Sequence, residues 1–152
     1  MLAEVVYSDL RHAIYLGDMP HTWIGSEYAR SIFGMLMREG DRRLHLLPGT
    51  PVEWLQGEGL AVTALPTAYG KLSMSARDQG GALSVVLGPG LVPDTMVEVH
   101  WPRRERPSAV EVDGRDVGDY TSDGIVLAHP FKRLEARWNA PEAARTTRSA
   151  TP

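Results

Sequence analysis

Apolar residues recur at intervals of three and four near the start of the chain and at intervals of two over most of the remainder. The pattern therefore passes from helical to strand-like partway along. Val5, Val6, Leu10, Ala13 and Ile14 form one stripe of a helix over about Ala3–Leu16, which Gly17 stops. After the break at Asp18-Met19-Pro20, the residues Ile24, Tyr28, Ile32, Met35 and Leu36 predict a second helix running to about Glu39 and ended by Gly40. Ala29, Phe33 and Met37 widen its apolar arc, so more than one of its sides needs cover. A short connection between two such helices predicts an antiparallel hairpin.

The stretch LLPGTPVEWLQGEG then places Thr50, Pro51 and Glu53 in a capping-box arrangement ahead of Gly57, predicting a short helix near residues 51–56. From Leu60 the runs LAVTAL, GKLSMSAR, ALSVVLG, TMVEVHW, SAVEVDG, GIVLAH and KRLEARW alternate and are bounded by Gly, Pro and Asp. Asp78-Gln79-Gly80-Gly81 and Asp113-Gly114 read as hairpin turns. The expected fold class is α+β: a helical hairpin over residues 1–40, an antiparallel β-sandwich over 41–138, and a disordered tail over 139–152 with no large apolar residue. A lone hairpin with two apolar faces has too little partner surface, so it is expected to lie on the sandwich, on helices outside this chain, or on a second copy.

At 152 residues, with 43% hydrophobic and 23% charged residues, the chain supports one core. A net charge of -3 gives no broad cationic field, and the Arg103, Arg104, Arg106 group, interrupted by Glu105, reads as a solvated turn, so no nucleic-acid partner is expected. The absence of cysteine excludes disulfides and thiolate metal sites. No apolar run approaches the ~20 residues that span a bilayer, so no membrane partner is expected either. The first residues lack the basic and small-residue features of a signal peptide, and the compartment stays undetermined.

His12, His21, His45, His100 and His129 are scattered, with no pair at the i, i+4 ligand spacing, so neither a metal nor a cofactor is expected. There is no Gly-x-Ser-x-Gly elbow and no phosphate loop. Glu27, Glu39, Glu53 and Glu58 show no spacing that makes an acid–base pair, and Trp54, Trp101 and Tyr69 read as packing. The distinctive stretch is DMPHTWIGSEYARSIFGMLMREGD, which crowds His21 and Trp23 at the mouth of a helix with Glu27 four residues on. An indole covers the C–H face of a pyranose, an imidazole both donates to and accepts from hydroxyls, and a carboxylate near a helix N-terminus is favoured by the dipole. The same residues also suit a hydrophobic anchor with first-turn polar groups.

The stretches PHTWIGSEY, PGTPVEWL and LPTAYGKLS resemble the C-terminal end of bacterial six-hairpin glycosidases of the α-L-rhamnosidase-like kind, over about Asp18–Trp138. The resemblance implies that the helical hairpin is the end of an (α/α)6 barrel whose N-terminal part is missing from this chain. It further implies a carbohydrate partner, with His21 and Trp23 beside the sugar pocket; the family's motif there is His-Ala-Trp, from which Thr22 departs. No position matches the family's general acid, so no catalytic residue is carried over. The expected function is that of a C-terminal fragment of a glycoside hydrolase-like protein, inactive alone, with His21, Trp23 and Glu27 as substrate-binding residues. The alternative is a non-catalytic β-sandwich module that binds glycans or proteins and self-associates through its helices.

Overall fold

The computed structural model of the protein describes residues 22–40 and 42–138. The predicted first helix (Ala3–Leu16), His21 and the tail over 139–152 lie outside the described residues.

The expectation of an α+β fold led by a helical hairpin is corrected. The structure is mostly β, with strands taking up 46% and helix 16%, and its only helices among the described residues are α1 (Thr22–Leu36) and the one-turn α2 (Val52–Leu55). Helix α1 stops at Leu36 because the next residues leave the helical path for strand pairing. Strand β1 (Met37–Gly40) pairs antiparallel with β2 (Arg43–Leu46), Met37 opposite Leu46 and Gly40 opposite Arg43. Arg42 turns the corner at φ 62°, a left-handed conformation.

The remaining strands are β3 (Leu60–Thr67), β4 (Gly70–Gln79), β5 (Ala82–Leu87), β6 (Met96–His100), β7 (Ala109–Val112), β8 (Arg115–Asp116), β9 (Gly124–Leu127) and β10 (Arg133–Arg137). They form a β-sandwich-like pair of sheets, one ordered β1-β2-β6-β9 and the other β3-β4-β5-β10-β7-β8. The alternation in β4 (Leu72, Met74 and Ala76 in; Lys71, Ser75 and Arg77 out) shows how the period of two turns one face to the core. Leu44, Leu46, Val97, Val99 and Ile125 of the smaller sheet meet Leu72, Leu83, Val85 and Leu134 of the larger in one buried cluster. The smaller sheet departs from the all-antiparallel expectation: β2 and β6 run parallel, because the chain crosses to the other sheet for β3–β5 before returning.

The predicted turns form. Gly80 and Gly81, at φ 58° and 83°, join β4 to β5 in two residues, and Asp113-Gly114, at 49° and 80°, join β7 to β8; positive φ at both positions is what this hairpin turn demands. The capping box does not form. Pro51 stands at the α2 N-cap without a side-chain bond, because Thr50 Oγ1 instead donates to the carbonyl of Met35 at 2.8 Å, meeting an acceptor that the end of α1 leaves unused. Nor is the arginine cluster simply solvated. Arg103 pairs with the buried Asp78 and lies 5.5 Å over the Trp138 ring, while Arg106 sits 4.6 Å over Tyr120. Trp101 and Trp138 meet edge to face at 6.0 Å, and their indole N–H groups donate to the carbonyls of Thr121 and Glu105.

Candidate functional site

Of the three residues expected to bind substrate, His21 lies outside the described residues, and Trp23 and Glu27 stand on α1. Trp23 is 71% exposed. Glu27 falls in the second turn of a helix that starts at Thr22, beyond the reach of the N-terminal dipole, and its carboxylate lies 3.7 Å from Arg30. Neither residue lines the hollows described below. Glu39 is in β1 rather than at a helix end, and its carboxylate accepts the backbone N–H of Ala68 at 2.8 Å.

Helix α1 has no buried residue, and Tyr28 and Phe33 are 60% and 46% exposed. Its recorded hydrogen bonds to the sandwich gather at its last turn. The N–H groups of Leu47 and Gly49 donate to the carbonyls of Leu36 and Met35, at 2.7 and 3.1 Å, and Thr50 adds its hydroxyl. Two loops meet the α1–β1 segment: Thr50 donates to the carbonyl of Met35, and Ala68 donates its backbone N–H to Glu39, three residues beyond the helix.

A second polar concentration lies on the outward face of the smaller sheet. Alternation turns Leu44 and Leu46 of β2 inward and leaves Arg43 and His45 on the other side; in β6 it turns Val97 and Val99 inward and leaves Glu98 and His100. The parallel register sets His45 beside Glu98. His45 Nδ1 lies 3.0 Å from His100 Nε2 and 3.4 Å from Glu98 Oε2; His100 Nε2 lies 3.7 Å from Glu98 Oε1; and Arg43 Nη1 donates to Glu98 Oε2 at 2.9 Å. The two imidazoles stack at 5.3 Å. His45 is only 4% exposed, whereas Glu98 and His100 are partly open. His100 borders a hollow of about 280 Å³ shared with Trp101, Arg103 and Asp123, and Glu98 borders one of about 310 Å³ shared with Asp119, Tyr120 and Thr121.

This arrangement concentrates lone pairs. With its proton on Nδ1, His45 donates within the cluster and leaves Nε2 a bare acceptor; with its proton on Nε2, a buried N–H goes without an acceptor. Either way Nε2 is unmatched, which costs about 1–3 kcal/mol for a buried polar atom. Burial holds His100 below the ordinary imidazole pKa of 6.5, His45 and Arg38 push the same way, and Glu98 and Asp123 oppose them. The neutral ring, with one free lone pair, is thereby favoured. The i, i+4 spacing of helical ligand pairs does not reveal this pair, which stands on two neighbouring strands. The usable signal was Glu98 and His100 two apart in an alternating run, which places both on one face of a strand.

Comparison of the chain with protein-family profiles, with curated proteins and with solved structures finds no match. Among the described residues, no helix is long and apolar enough to cross a membrane.

Proposed function

We propose that this chain is the non-catalytic β-sandwich part of a carbohydrate-active, glycoside hydrolase-like protein, and that it seats α1 against a helical surface supplied from outside the described residues. The observation that carries the reading is a fifteen-residue helix without one buried side chain, hydrogen-bonded to a well-packed sandwich at its last turn. A helix of that length gains its stability mainly by burying an apolar face, so Tyr28 and Phe33 on its surface call for a partner. The carbohydrate class rests on the resemblance of the three stretches, two of which are tied to the α1–β1 segment by Thr50 and Glu39. The non-catalytic role rests on the same resemblance, in which no position of this chain matches the family's general acid.

The test is the solution state and activity of the purified chain. Light scattering after gel filtration is expected to show concentration-dependent self-association, abolished by the double variant Tyr28→Ser, Phe33→Ser with an unchanged melting temperature. No turnover of aryl glycosides is expected. A monomer at all concentrations, with amides protected along the whole of α1, would mean that the chain covers its own helix and would sink the proposal. Turnover lost in Glu27→Gln would sink it too, by making the chain a hydrolase in its own right.

A further inference from the structure

The geometry points to His45, Glu98 and His100 as a binding site for one divalent transition-metal ion of the zinc class, held on the outward face of the four-stranded sheet. Among the described residues these three alone bring ligand atoms from three His, Asp or Glu side chains together, all within 4.8 Å of one another. An ion bonded at about 2.0–2.1 Å sees the 3.0 Å separation of the two imidazole nitrogens at roughly 95°. The carboxylate lies 3.4 Å from His45 Nδ1 through Oε2 and 3.7 Å from His100 Nε2 through Oε1, so an ion that takes both oxygens sees these separations at roughly 110° and 125°. These angles suit four- to six-coordination with positions left over for solvent, and the two hollows beside Glu98 and His100 provide the approach.

Two further features favour this reading. The donors stand on two strands in direct register, so little needs to be ordered on binding. Arg43, on Glu98 Oε2, fixes the carboxylate and leaves Oε1 facing His100, the outer-shell support that ligand carboxylates commonly have. Ligation through Nδ1 moves the His45 proton to Nε2, and His100 ligates through Nε2 with its proton on Nδ1. No net proton is released if both rings start neutral. The charges around the site are balanced, Arg38 and Arg43 against Glu98 and Asp123, so long-range attraction contributes little. Affinity must come from bonds to imidazole nitrogen, which selects zinc, cobalt, nickel or copper over calcium and magnesium.

The experiment uses the tag-free chain, stripped with EDTA and dialysed, then titrated with Co²⁺ while its visible absorption is read, with Zn²⁺ as competitor. One Co²⁺ per chain is expected, displaced by Zn²⁺, with Zn²⁺ raising the melting temperature and shifting the His45 and His100 ring signals in NMR. His100→Gln and Glu98→Gln, both at partly open positions, are expected to weaken binding by at least ~10-fold while circular dichroism stays unchanged, and Arg43→Gln by about 10-fold. Absence of saturable binding below millimolar ion would overturn the site. Binding that survives His100→Gln undiminished would also overturn it, by placing the ion elsewhere in the chain.

Discussion

Arg103 holds Asp78 through one nitrogen, its Nη2 lying 2.8 Å from Oδ1 and 2.9 Å from Oδ2. Asp78 follows Leu72, Met74 and Ala76 on the inward face of β4, so a carboxylate occupies a core register and is only 5% exposed. The Arg103 side chain keeps about a third of its surface in water, although its Nε is buried, and packs on Trp138. The two partners are therefore unequal. Arg103→Met should strand a buried carboxylate and cost about 3 kcal/mol, while Asp78→Asn should cost less, because a partly open guanidinium can rehydrate. Urea denaturation of both variants measures this, and a smaller loss for Arg103→Met would show that Asp78 reaches water. The double variant Asp78→Leu, Arg103→Met should recover most of the loss.

Gly124 sets how closely β9 approaches β6 beside the histidine cluster. It pairs with His100, and a Cβ added there would run into the carbonyl oxygen of Val99 and sit 3.3 Å from the His100 Cα. Backbone cannot give way as a flexible side chain does, so Gly124→Ala should destabilise the fold by about 1–3 kcal/mol. Thermal unfolding reads the loss directly. A neutral substitution would mean that β9 pairs with β6 more loosely than its register implies.

Thr50 should matter locally more than globally. Its hydroxyl is one of three groups that satisfy the last carbonyls of α1, so Thr50→Val should cost about 1 kcal/mol of global stability. The larger effect should be faster amide exchange near Leu36, where the helix meets the sandwich, with the amides of β4 and β5 unchanged. Uniform acceleration across both sheets would contradict the picture of a helix hydrogen-bonded to the sandwich at one end.

The strands were legible where the chain alternates over at least four residues between turn formers, as in KLSMSA, ALSVVL and RLEAR, because local burial alone dictates the period. The β1–β2 hairpin was not. Met37, Arg38 and Glu39 continue the apolar spacing of α1 and are compatible with a helix, and what draws them into a strand is pairing with RLHL, itself held by the distant β6. The histidine cluster was hidden for the same reason: His45 and His100 are 55 residues apart, and only a parallel pairing across a crossover joins them. At Thr50 the local motif misleads, since the sequence does not reveal that its hydroxyl bonds to the carbonyl of the distant Met35.

The acid limit of stability should carry the signature of Glu135. Its carboxylate accepts from Arg133 Nε and Nη2 at 2.9 and 2.7 Å and from Arg137 Nη2 at 2.7 Å, all along the outward face of β10, and those bonds hold its pKa below the ordinary 4.5. Across the pairing with β7 it stands opposite Glu111, a like charge that the two arginines offset. Because the folded pKa is depressed, the unfolded chain binds the proton more readily between the two values, and stability rises with pH across that interval. The contribution is therefore complete above about pH 5 and is lost as the pH falls through the folded value. Glu135→Gln removes this carboxylate's titration, so the variant should lose stability less steeply than the natural chain between about pH 5 and 3 while its stability near pH 7 falls slightly. Denaturant midpoints across that range measure the slope. Parallel curves for the two proteins would mean that the arginine bonds to Glu135 exchange freely with water and fix nothing.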